Sequence, residues 1–136
     1  MKNTIFLLVT VLSINVLSAQ KLTIKVTNIE PIKGNLMIGV YNNEKDFMNT
    51  HFRGKQVKVT DKTMTVTFTD LPQGVYAIAA YHDENENNQL DKNLLGVPKE
   101  KYGSSNNQNR PSYKKCAFKF DEDMTINIRL SFYRKD

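Results

Sequence analysis

The sequence predicts an all-β domain: a two-sheet antiparallel β-sandwich of about seven strands. Two observations carry that prediction. Almost every apolar segment alternates with period two, and the segments are short and separated by turn residues. Leu22, Ile24 and Val26 alternate with Lys21, Thr23 and Lys25, which describes a strand with one wet face. Pro31, Ile32 and Lys33 read as a turn before Gly34. Leu36, Ile38 and Val40 then alternate again, with Met37 and Tyr41 in the opposite register. Val57 and Val59 predict a short strand, and Asp61-Lys62 the turn after it. Met64, Val66 and Phe68 alternate with threonines, which suit the solvent face of a sheet. In Asp70-Leu71-Pro72-Gln73-Gly74, Pro fixes φ and Gly accepts positive φ, so a turn follows.

Residues 75–82 are apolar in both registers, as expected of a central strand covered, at least in part, on both sides. Ala77, Ala79 and Ala80 are small, so something should approach that strand closely. Residues 117–120 and 125–132 supply the last strands, with Ile126, Ile128 and Leu130 facing one way. Residues 43–48 break the pattern and predict a helical turn, with Phe47 and Met48 capping an open edge. The run from Asn106 to Arg110 is low in complexity and reads as a mobile loop.

The N-terminus reads as a secretory signal peptide, residues 1–19. Lys2 precedes an apolar stretch from Thr4 to Val16, and Leu17-Ser18-Ala19 supplies a small-residue cleavage site. The apolar stretch is about a dozen residues, whereas a spanning helix needs roughly 20. Position 20 is Gln, not Cys, which argues against a lipoprotein. No later segment is apolar enough to serve as a transmembrane anchor after cleavage. The expected location is periplasmic or secreted, with residues 20–136 as one domain. Lys2 leaves with the signal, so the charge falls by one from +5 to +4. The basic residues are scattered rather than striped, which excludes a nucleic-acid reader of the usual kind. Cys116 is the single cysteine, so no disulfide staples the domain. Its strand-like setting predicts a buried, inert thiol.

The longest polar stretch follows the central strand, and it holds the candidate sites. Asp83, Asn85, Asn87 and Asp91 place oxygens at the first, third, fifth and ninth positions of an EF-hand-type loop. Gln89, at the seventh, offers its backbone carbonyl. Glu84 and Glu86 alternate outward. Asn88 stands where glycine is usual and tolerates left-handed geometry. The twelfth position is Leu94 instead of a bidentate Glu, so a complete EF-hand is excluded. What remains is a weak Ca²⁺ loop, with a dissociation constant of about 10⁻⁴–10⁻³ M, or an Asn/Asp turn that satisfies its own backbone.

Two further readings stay open. A binding module would present His82, Glu100, Tyr102, Ser104 and Asn106 to an envelope or extracellular ligand, a glycan or a peptide. Alternatively, that loop plugs the end of the sheet, with Leu94, Leu95, Val97 and Tyr102 as buried pegs. The alternative function is a secreted hydrolase using His82 with a nearby acid or serine. Adjacent His82 and Asp83 point to opposite faces of a strand, however, and no G-x-S-x-G turn or His-rich zinc spacing is present.

Leu71-Pro72-Gln73-Gly74-Val75-Tyr76 resembles the turn-and-strand of prealbumin-like (transthyretin-like) sandwiches. Residues 81–91, then 94–100, then 102–106 resemble a bacterial family of exported domains of unknown function. Its pattern is H-D-x-N-x-N-x-x-L-D followed by G-x-P-x-E-x-[YW]-G-x-S-N. The resemblance implies an exported prealbumin-like or Ig-like sandwich, and it implies no reaction.

Overall fold

The structure is a computed structural model, and it describes residues 19–135. The expected signal peptide therefore lies, but for Ala19, outside the described residues. β1 (Leu22–Thr27) forms as its alternation dictates: Leu22, Ile24 and Val26 are completely buried. It is the middle of a three-stranded sheet with β4 (Met64–Phe68) on one side and β8 (Met124–Arg129) on the other. The second sheet has five strands. β2 (Asn35–Tyr41) lies between the edge strand β3 (Arg53–Lys58) and the long β5 (Gly74–Asp83). β6 (Tyr102–Ser104) and β7 (Phe118–Phe120) complete it. The core between the sheets includes Leu22, Ile24, Leu36, Val40, Phe68, Ile78, Phe120, Ile128 and Leu130.

The all-β sandwich is as the period-two pattern predicts, with eight strands and one parallel pair. β1 runs parallel to β8, from Leu22 opposite Met124 to Thr27 opposite Arg129. Parallel neighbours need a long crossover, and here the rest of the domain is that crossover. The strand expected around Val57 and Val59 starts earlier and ends at Lys58. Arg53, Lys55 and Lys58 decorate this exposed edge, and such charges discourage pairing with another chain. Val59 lies just beyond, buried, its N–H donated to the Gly34 carbonyl.

β5 is the central strand. β2 pairs along its length on one side. On the other side β7 pairs with Gly74–Tyr76 and β6 with Ala79–Tyr81. The gap between them is filled by a side chain: the buried Ser105 hydroxyl accepts the Ile78 N–H at 3.0 Å and donates to the Cys116 carbonyl. Cys116 is fully buried, as expected, but it ends the short helix α1 (Tyr113–Cys116) rather than sitting in a strand. Ser112 caps that helix. Burial pushes the Cys116 thiol up, the direction that disfavours the reactive thiolate.

The segment from Asn43 to Met48 turns as expected. Phe47 packs edge-on against Tyr41 and Tyr113, while Met48 stays largely exposed. The run after Ser105 is tied down rather than loose. Asn107 accepts the Arg129 N–H and donates to the Asn127 carbonyl, fixing it to β8. Among the described residues, no helix is long and apolar enough to cross a membrane.

Candidate functional site

The polar loop begins where β5 ends. Asp83 is wholly buried, and its carboxylate accepts the N–H groups of Asn87 (3.2 Å) and Asn88 (2.8 Å). Asn85 and Asn87 each accept a backbone N–H two residues on, at Asn87 and Gln89. Their side-chain amides donate to opposite oxygens of Asp91, at 2.6 and 2.8 Å. Asn88 takes positive φ, and so does Glu86. Glu84 and Glu86 turn away from the loop and pair with Lys33 and Lys58. Gln89 enters the network through its N–H.

Glu100 joins this loop from nine residues beyond Asp91. Its two oxygens accept the N–H groups of Glu84 (3.2 Å) and Asp91 (3.1 Å). Burial raises its pKa, the two N–H donors oppose that rise, and the Asp91 and Asp83 charges add to it. The same group of charges acts on Tyr81. Burial, then Asp83 and Glu100, push its phenol up to about 12. Among the described residues, no three Asp, Glu, His or Cys side chains stand together as a metal cluster. Any cation here needs the carboxamides too.

The other candidate residues are placed as follows. His82 faces the core with no exposure. Its Nε2 lies 2.7 Å from the Lys33 carbonyl, and its Nδ1 has no partner. The Tyr102 hydroxyl donates to the Asn109 carbonyl, and buried Ser104 accepts the Gln108 N–H. Tyr102 and Ser104 line a hollow of about 410 Å³ that also includes Arg129 and Arg134. Asn106 ties its loop to the carbonyls of Lys115 and Ala117. The structure thus gathers Asp83, Asn85, Asn87, Asp91 and Glu100, and leaves His82, Ser104 and Asn106 apart from them. The expected plug is corrected in part. Tyr102 is buried and Val97 half-buried, but Leu94 and Leu95 are fully exposed, because residues 91–99 close into their own hairpin instead of folding onto the sheet.

A larger concavity than that hollow lies elsewhere, on the outer face of the five-stranded sheet. It is a groove of about 690 Å³ between the 43–52 turn and the 84–98 loop. One row of the sheet supplies small residues across three strands: Gly54 opposite Gly39 opposite Ala79. The glycines let rings fold down onto the sheet. A Cβ at Gly39 would meet the Tyr41 ring end at 2.7–2.9 Å, and one at Gly54 would meet the His51 ring at 2.5–2.9 Å. Met37, Gln56, Tyr81, Gln89 and Lys92 add to the lining. The Tyr41 and Tyr81 hydroxyls make no hydrogen bond among the described residues. Among the described residues, no acidic side chain lines the groove. The signal for this face was in the sequence: Met37 and Tyr41 place large apolar groups on what alternation marks as the solvent side.

The fold and groove define a small all-β sandwich that exposes a ligand-sized concavity on one sheet. The chain belongs to a bacterial family: residues 24–127 match the model of the uncharacterized proteins conserved in bacteria, DUF2141. No curated protein and no solved structure matches the chain.

Proposed function

We propose that this protein is an exported binding module of the cell envelope or exterior, and that its groove holds a short oligosaccharide. The observation that carries the reading is the groove itself: tyrosine hydroxyls free of internal partners above a floor of Gly and Ala. A volume of about 690 Å³ falls within the about 300–1,000 Å³ typical of ligand sites. Tyrosine offers a sugar both an apolar ring face and a hydroxyl. Gln56 and Gln89 offer donors and acceptors to sugar hydroxyls. Export rests on the N-terminal signal pattern, and the prealbumin-like relationship on the Leu71–Tyr76 turn.

The loop wall is part of the same proposal, as a weak Ca²⁺ site. The Asn85 and Asn87 carboxamides converge on Asp91, and Asp83 holds the same loop, its carboxylate accepting the Asn87 and Asn88 N–H groups. Using the two carboxamides as ligands means turning their oxygens toward Asp91, which gives up the N–H bonds those oxygens now accept from Asn87 and Gln89. A cation bound there stiffens one wall of the groove. Calorimetric titration of Ca²⁺ tests this, with Asp83→Ala and Asp91→Ala in parallel. Binding at millimolar or tighter that both substitutions abolish is expected. No heat at several millimolar Ca²⁺ retires the metal and leaves an Asn-rich turn.

Ala79→Leu tests the groove, because it fills the floor on the outer face and leaves the core untouched. Against a panel of neutral and acidic oligosaccharides, the wild type is expected to bind at least one. Ala79→Leu should then weaken that binding tenfold or more.

A further inference from the structure

The tip of the 91–99 hairpin carries two leucines in water. Leu94 and Leu95 are 105% and 88% exposed, the most exposed large apolar side chains among the described residues. Looseness does not explain this exposure, because the hairpin is closed by its own hydrogen bonds. The Lys99 N–H reaches the Asp91 carbonyl at 2.8 Å, and the Asn93 N–H reaches the Val97 carbonyl at 2.9 Å. The Asn93 carbonyl accepts the Gly96 N–H, and its side chain accepts both the Leu95 and Val97 N–H groups. Gly96 takes the positive φ the turn requires. The backbone donors of Asn93, Leu95, Gly96 and Val97 are therefore satisfied inside the tip.

Charge narrows what such a tip can meet. Lys92 and Lys99 flank it, both exposed, and neither forms an ion pair among the described residues. The acids at its base face inward: Asp91 holds two carboxamides, and Glu100 is buried on backbone N–H groups. From Lys92 to Lys99 the hairpin holds two cations and no anion.

We propose that the Leu94–Leu95 hairpin inserts into the interface of an anionic lipid bilayer and docks the sandwich on a membrane surface. A low-polarity medium excludes backbone groups that lack partners, and these N–H groups have theirs. The two leucines bury apolar area below the headgroups. Lys92 and Lys99 meet the anionic headgroups at the level where such residues are attracted. A protruding tip suits a medium that yields around it. This docking is independent of what the groove holds, and it places the groove close to a membrane.

The test uses residues 20–136, the chain expected after signal cleavage, so that the N-terminal segment cannot itself bind lipid. Co-sedimentation is measured with vesicles of phosphatidylcholine containing one quarter phosphatidylglycerol, and with phosphatidylcholine alone. Binding to the anionic vesicles is expected, and the double substitution Leu94→Ser, Leu95→Ser should weaken it about tenfold or more while leaving the melting temperature unchanged. Lys92→Gln with Lys99→Gln should remove the preference for anionic lipid. Leu95→Trp introduces the only tryptophan, and its emission should shift to the blue on adding anionic vesicles. The proposal is overturned by no vesicle binding, by equal binding of the serine variant, or by unshifted tryptophan emission. It is equally overturned if the leucines instead hold a dimer that the serine variant dissolves.

Discussion

Ser105 shows how one side chain completes a sheet. Between β6 and β7 the central strand has no neighbour at Ile78, and the Ser105 hydroxyl occupies that gap. Ser105→Ala leaves the Ile78 N–H buried and unpaired, which should cost about 1–3 kcal/mol. Urea denaturation checks it, as a lower midpoint with an unchanged slope. Glu100 gives a second expectation at this scale. Burial raises its folded-state pKa above the ordinary carboxylate value of 4.5, so the folded chain holds that proton more tightly. The stabilisation that follows is fully present below the unfolded value and is lost as pH rises through the folded one. Thermal melts across that acidic window should show the wild type gaining stability relative to Glu100→Ala as pH falls. A difference that stays flat across the window would contradict the assignment.

Among the elements, the 83–101 loop owes its shape to side chains more than to backbone pairing. Asp83 caps two N–H groups, Glu100 accepts two more, and Asn85, Asn87 and Asn93 accept others. Asp83→Ala should therefore speed hydrogen exchange at Asn87 and Asn88. The ladder between β2 and β5, from Asn35 to Tyr41, should keep its protection away from the Asp83 end. That the loop would be organised around Asp83 and Asp91 was legible in the spacing of their oxygens. That Glu100 would close it was not, because the spacing of one loop says nothing about which later carboxylate returns to it. Leu94 and Leu95 misled for a related reason. Apolar residues in a loop suggest burial, but Asn93 and Gly96 build a hairpin whose backbone needs nothing from the sheet.

For the whole molecule, alternation placed the inward residues of β1, β2 and β4 correctly, since a one-residue slip would turn every one of them to water. Strand order was not legible. The parallel pairing of β1 with β8 depends on how the two ends of the chain meet, which no local pattern records. Nor did local pattern show the groove, which forms only when Gly54, Gly39 and Ala79 line up across three strands. Chemical-shift mapping of the backbone amides during titration with an oligosaccharide mixture from bacterial envelopes tests whether the groove binds. An occupied groove should give shifts concentrated at Met37, Gly39, Gln56, Ala79 and Tyr81, and absent in Ala79→Leu. Shifts gathered instead around Ser104, Asn107 and Arg129, or persisting unchanged in Ala79→Leu, would contradict it.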